Sequence, residues 1–181
     1  MRNVLLGFLF AMVSSTSNAG AIARQYGSGF EGVSWGDSLA ELMAKRPGGD
    51  HYFAVGGGQR EYSVPDEKPM FGLSRSHMRA YYFFDETDSV VSVSVIFPYE
   101  QRAKLLGTLT LSFGPYQRTY TKGISNYYFW PRDDGTTVIL EETQDPSYGI
   151  LALGISGPNS ALLKKPSSDC VKESPSQKEK K

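Results

Sequence analysis

Cysteine is almost missing from this chain: of 181 residues only Cys170 is one. It lies in a polar stretch near the C-terminus, where a passive residue is expected and cross-linking of two chains is the alternative. No internal disulfide can form, so core packing must hold the fold, and a disulfide-stapled secreted scaffold is excluded. Histidine is scarce as well. His51 and His77 are the only two, far apart and without a core cysteine, which leaves zinc without a ligand set. No G-x-S-x-G elbow accompanies either histidine, so the nucleophile, base and orienting group of acyl transfer are not assembled by any motif. Beyond residue 13 no apolar run is long enough to span a bilayer.

What is present begins at the N-terminus. Arg2 precedes an uncharged apolar stretch over residues 4–13, a Ser-rich stretch follows, and Ser17-Asn18-Ala19 places small side chains where a signal peptidase reads them. Ten apolar residues at helical rise cover about 15 Å, roughly half a bilayer core, so the stretch is too short for an anchor. We expect a signal peptide over 1–19, cleaved after Ala19 or, second, after Ala21, and a periplasmic or secreted protein. No cysteine follows the apolar stretch, which argues against a lipid-modified N-terminus. The formal charge of zero hides a split. Residues 20–157 carry 12 Lys and Arg against 16 Asp and Glu, a net of −4, whereas residues 158–181 carry 6 Lys against 3 acids, a net of +3. A mildly acidic globular part argues against nucleic acid as a partner.

Composition divides the chain into a signal peptide (1–19), one domain (20–157) and a Pro-, Ser- and Lys-rich tail (158–181) expected to be disordered. Within the domain, Ser38 and Glu41 form an S-x-x-E capping box, Leu39, Leu42 and Met43 share one face, and Pro47-Gly48-Gly49 stops the helix. Strands are expected at 51–55 and 60–64 around Gly56-Gly57-Gly58-Gln59, then at 79–85 and 88–97. In the last of these Val91, Val93, Val95 and Phe97 alternate with Ser92 and Ser94, as a half-buried antiparallel strand requires. Pro98 at a helix N1 position opens a second helix to about residue 112, with Leu105, Leu106, Leu109 and Phe113 as its apolar stripe. Strands at 126–130, 136–142 and 149–156 follow. The expected fold is α+β: a two-layer sandwich of an antiparallel sheet with two helices on one face, in a tandem helix-then-strands layout.

Trp35-Gly36-Asp37-Ser38 followed by Leu39 to Met43, and Leu105 to Phe113 running into Gly114-Pro115, resemble small exported bacterial domains. Those domains have a "W-G-x-S" helix start and a later "L…(Y/F)-G-x-P" helix end, as in β-lactamase-inhibitor-protein-like and SmpA/OmlA-type proteins. The resemblance spans 33–157. It departs in that Pro115 follows Gly114 directly, and in the absence of a lipidated cysteine. It implies a protein-binding or envelope role without catalysis, and transfers no functional residue.

The remaining polar clusters have plain explanations. Asp85-Glu86-Thr87-Asp88 and Asp133-Asp134 match no calcium-loop spacing and fall where hairpin turns use Asp for backbone reasons. The Gly56–Gly58 run lacks the Lys-Ser/Thr of a phosphate loop and precedes a strand, so a flexible hairpin loop is expected. No catalytic residue, cofactor or metal site is assigned. The aromatic runs Tyr81-Tyr82-Phe83-Phe84 and Tyr127-Tyr128-Phe129-Trp130 stand above this background, because any strand there puts half of its rings on each face. One set packs on the helices. The other is either covered, by the Gly- and Ser-rich lead-in segment at residues 20–34 or by a second chain, or exposed as a binding surface. The sequence expectation is a non-enzymatic, inhibitor-like domain that binds a protein partner of the cell envelope through Tyr82, Phe84, Tyr128 and Trp130. The alternatives are an envelope assembly factor acting through its Lys-rich tail and a hydrolase using His77 with a serine.

Overall fold

The structure is a computed structural model describing residues 24–52, 60–76, 78–131, 134–143, 150–158 and 160. The expected signal peptide, the Gly56 to Gln59 loop, His77 and nearly all of the expected tail, Cys170 included, lie outside these residues.

Antiparallel sheet dominates and helix is sparse. A short pair, β1 (Gly29–Phe30) and β2 (Val33–Ser34), forms a small sheet of its own. Helix α1 (Leu39–Lys45) precedes β3 (Asp50–Tyr52), β4 (Glu61–Pro65), β5 (Arg79–Phe84) and β6 (Val90–Pro98). Helix α2 (Arg102–Phe113) precedes β7 (Arg118–Lys122), β8 (Ser125–Pro131), β9 (Thr137–Thr143) and β10 (Ile150–Ser156). These eight strands make one sheet in the order β3-β4-β5-β6-β10-β9-β8-β7. Each run of four strands is therefore a meander, and the two runs join through their last strands, with Val93 of β6 opposite Ile155 of β10.

Local chemistry explains the helix ends. The capping box forms: Glu41 N–H donates to Ser38 Oγ, and Ser38 N–H donates to Glu41 Oε2 at 2.8 Å. A two-turn helix is marginal in isolation, so α1 depends on Leu42, which is fully buried. Met43, expected on the same face, is exposed, because two turns bury only the narrow stripe of Leu42 with Leu39 at its flank. In α2 the expected stripe holds: Leu105, Leu109 and Phe113 are buried and Leu106 packs at the margin. Pro98 ends β6 instead of starting the helix; a 3-10 turn, Tyr99–Gln101, intervenes. Gly114 closes α2 with a φ of 84°, where a side chain would be strained.

Cα partners across the sheet give its two faces. One row runs Tyr62, Tyr82, Val93, Ile155, Val138, Trp130. All six are buried in one hydrophobic cluster with Leu42 of α1, Leu105, Leu109 and Phe113 of α2, and Tyr26, Phe30 and Val33 of the N-terminal segment. A bulge where β5 meets β6 pairs Phe83 with Ser92 but Phe84 with Val90. It shifts the alternation by one residue, so Val90, and not Val91 as the sequence pattern suggests, joins the core. Strand β7 was not anticipated. Its residues, RTYTK, are exposed or half-exposed on both faces and carry no burial pattern to detect.

Two close approaches fix the margins of this core. The Tyr62 hydroxyl donates to Arg46 O and accepts from Gly49 N–H, both at 3.1 Å, and a Cβ on Gly49 would lie 2.5 Å from that ring. At the far end of β10, a Cβ on Gly157 would lie 2.5 Å from the Trp35 ring, which is anchored by its Nε1–H donating to Tyr26 O at 2.7 Å.

Candidate functional site

The four aromatic residues singled out from the sequence do not form an exposed surface. Tyr82, Phe84 and Trp130 are core residues, and Tyr128 packs against that core half-buried. Tyr82 meets Phe30 edge-on at 6.4 Å, and Trp130 Nε1–H donates to Gly114 O at 2.8 Å, tying β8 to the end of α2. The physical reason is phase. Four consecutive rings say that half point each way, but only the register against Tyr62 and Val93 decides which half.

Their neighbours occupy the opposite face. Tyr81 and Phe83 of β5, Ile139 of β9 and Tyr127 of β8 are half-buried and lie outside the core cluster. Across that face Tyr81 is opposite Ser94, Ser94 opposite Gly154, Gly154 opposite Ile139, and Ile139 opposite Phe129. A second row runs Phe83, Ser92, Ser156, Thr137. On this face the two central strands, β6 and β10, present the small side chains of Ser92, Ser94, Gly154 and Ser156, with Ile96 beyond them opposite Ala152; Ser94 and Gly154 are half-exposed, whereas Ser92 and Ser156 are buried. Larger side chains rise on either side: Tyr81 and Phe83 from β5, and Ile139, Tyr127 and Phe129 from β9 and β8. Three strand spacings separate β5 from β9, about 14 Å. This is a shallow trough with apolar walls.

At the β7 end the wall is built from stacked rings. Tyr120 lies parallel to Tyr127 at 4.6 Å and to Phe129 at 5.4 Å, and the Arg118 guanidinium sits 4.6 Å over the Phe129 ring. Phe129 is thereby buried without entering the main core. At the β3 end Tyr52 is exposed, and Arg79 joins Asp50 at 2.6 Å to Ser63 Oγ and O. Burial raises the pKa of Glu61, which shares this end of the face with Phe83, although Arg79 pulls the other way.

Two ionic clusters escaped the sequence reading. Glu142 lies on the core side of β9, in phase with Val138 and Leu140, and is buried. Its carboxylate accepts from the Tyr99 and Tyr128 hydroxyls, both at 2.8 Å, and from Arg102 Nε. Burial works against its ionisation, but the bonds from Arg102, Tyr128 and Tyr99 outweigh it and lower its pKa. A charged residue at an inward position of an alternating strand was the available signal. In the β4–β5 connection, Arg75 Nη1 lies 2.5 Å from Asp66 Oδ2, with both side chains almost fully buried, and Arg46 Nη2 lies 3.3 Å from the same oxygen. Burial opposes the Asp66 charge too, yet the two arginines hold its carboxyl below the ordinary range. No periodicity marks that loop, and only the folded chain brings these residues together. Beside it lies a cavity of about 300 Å³ lined by Tyr26, Phe30, Glu31, Met70 and Phe71, among others.

The expected turn chemistry is in place. Asp85 Oδ1 accepts from Thr87 N–H, Thr87 Oγ1 and Ser89 N–H, and Asp134 Oδ1 accepts from Thr136 N–H. Among the described residues no group of three His, Cys, Asp or Glu is placed to hold a metal ion. His51 sits partly buried on β3. No described helix is long and apolar enough to cross a membrane.

Neither a family model, nor a curated protein, nor a solved structure matches this chain.

Proposed function

We propose that this chain is a non-enzymatic, exported domain that binds a protein partner in the open trough of its sheet. The observation that carries the reading is the pair of apolar walls, Tyr81 and Phe83 against Ile139 and Tyr127, half-exposed on either side of a Ser92, Ser94, Gly154 and Ser156 floor. Aromatic side chains give large contact area at low entropy cost, and an open apolar patch flanked by charge is a recognition feature. A trough about 14 Å across accepts a convex apolar ridge. A second copy of the same concave face would leave a void between the floors.

The reading is supported by the placing of α1 and α2, whose Leu42, Leu105 and Leu109 pack on the sheet face opposite the trough, and by the half-exposure of Tyr81, Phe83, Ser94, Ile139 and Gly154 on the trough face. Export to the periplasm or cell exterior follows from the N-terminal sequence pattern.

The experiment places a photo-cross-linking residue at Tyr81 or Ile139, with Leu111 on the exposed side of α2 as control, in cells producing the full chain. The same partner captured from both trough positions, absent from Leu111 and lost in Phe83→Asp, is the expected result. Equal capture from all three positions, or none that Phe83→Asp removes, overturns the proposal.

A further inference from the structure

The sheet ends on one side at β7, whose outer edge pairs with no described strand. Backbone N–H and C=O groups on such an edge form a template for another strand unless something blunts it. Residues 114–124 contain Arg118 and Lys122 and no acidic residue, and among the described residues neither cation makes an ion pair. Both lie on the same face of β7, opposite Phe129 and Ser125 of β8, with Tyr120 between them opposite Tyr127. The other edge, β3, is only three residues long, and its Asp50 is already bound to Arg79.

The spacing selects an occupant. Four residues of extended chain set Arg118 and Lys122 about 13 Å apart, whereas acids at i and i+4 of a helix stand about 6 Å apart. An extended segment with acids four residues apart reaches both cations and at the same time sets its main-chain groups against the open β7 edge, which a helix, whose backbone bonds are internal, does not. Self-pairing is disfavoured by the same charges: an antiparallel β7–β7 pair centred on Tyr120 would set Arg118 against the second copy's Lys122. The middle position of the added strand would lie beside Tyr120, whose ring is held by the stack on Tyr127 and Phe129.

We infer that the β7 edge takes an acidic extended peptide segment of a partner by antiparallel strand addition, with the pattern acid-x-apolar-x-acid across Arg118, Tyr120 and Lys122. Main-chain hydrogen bonds supply affinity, and the two cations supply register and selectivity. Arg118 and Tyr120 also close the β7 end of the trough, but the peptide measurement reads strand addition at the outer edge of β7 and leaves Tyr81, Phe83 and Ile139 untouched, so it succeeds or fails independently of the trough reading.

The test uses the full chain and a fluorescein-labelled peptide Ser-Glu-Thr-Val-Thr-Glu-Ser in low salt, followed by anisotropy. Saturable binding is expected, weakened about tenfold or more in Arg118→Glu with Lys122→Glu, since exposed attractive pairs become repulsive. A peptide with alternate backbone nitrogens methylated should not bind, and β7 amides should exchange more slowly in the complex. Three results overturn the inference: no binding below about 1 mM, equal binding of a peptide with Lys in place of Glu, or undiminished binding of the methylated peptide. The last would mark a bare polyanion patch, which a parallel titration with heparin would reproduce.

Discussion

Tyr81 and Tyr82 are adjacent and chemically identical, and the structure assigns them opposite consequences. Tyr82 is fully buried, lies between Tyr62 and Val93 in the inward row, and touches Phe30 edge-on at 6.4 Å. Truncating a core aromatic to alanine costs about 3–5 kcal/mol from lost burial and the cavity left behind. Its hydroxyl contributes little of that, because both its acceptor, Phe30 O, and its donor, Arg46 Nη1, stand 3.4 Å away, so Tyr82→Phe should cost no more than about 1 kcal/mol. Tyr81 stands half-exposed on the trough wall, and its truncation should cost about 1 kcal/mol or less. With a urea slope of about 2 kcal/mol per M, Tyr82→Ala should lower the unfolding midpoint by about 2 M and Tyr81→Ala by about 0.5 M. The measurement is equilibrium urea unfolding of the three variants, followed by far-UV circular dichroism. Equal losses for the two alanine variants, or a larger loss for Tyr81→Ala, would mean that the trough face is covered or the strand phase reversed. The trough proposal would fall with it.

Two further outcomes follow from the margins of the core. Glu142 has a lower pKa folded than unfolded, so its contribution is complete above its unfolded value near pH 4.3 and disappears as pH falls through the folded value. Glu142→Gln should therefore lose about 1–2 kcal/mol at pH 7 and show a shallower loss of stability between pH 5 and pH 3 than the parent; parallel pH profiles in urea would refute the assignment. In Gly157→Ala the new Cβ would press on Trp35, at 2.5 Å from Cγ. A destabilisation of about 1–3 kcal/mol and a red-shifted tryptophan emission are expected, and an unchanged spectrum and midpoint would show that the ring is free to move.

Much of the element order was legible because local rules govern it. Ser38 and Glu41 announce the start of α1, the 105/109/113 spacing marks α2, and Ser92 and Ser94 among valines mark β6. Each is decided by neighbours within a turn or a strand, where propensity and alternation act. Such signals also place Asp85 and Asp134 in turns, where their carboxylates accept from Thr87, Ser89 and Thr136.

Other features depend on contacts far apart in sequence. Strand β7 is polar on both faces and exists through pairing with β8. Which half of Tyr81–Phe84 is buried turns on a bulge at Phe83–Phe84 and on register with Val93, since a one-residue shift moves every side chain to the other face. Glu142 with Arg102, and Asp66 with Arg75, are joined across 40 and 9 residues only when the strands and loops close around them. The sequence determined that this chain would make an antiparallel sheet rich in rings, with a capped helix at Leu39–Lys45 and an apolar-striped one at Arg102–Phe113. Tertiary pairing alone decided which rings face water, because alternation fixes a period while only packing fixes its phase.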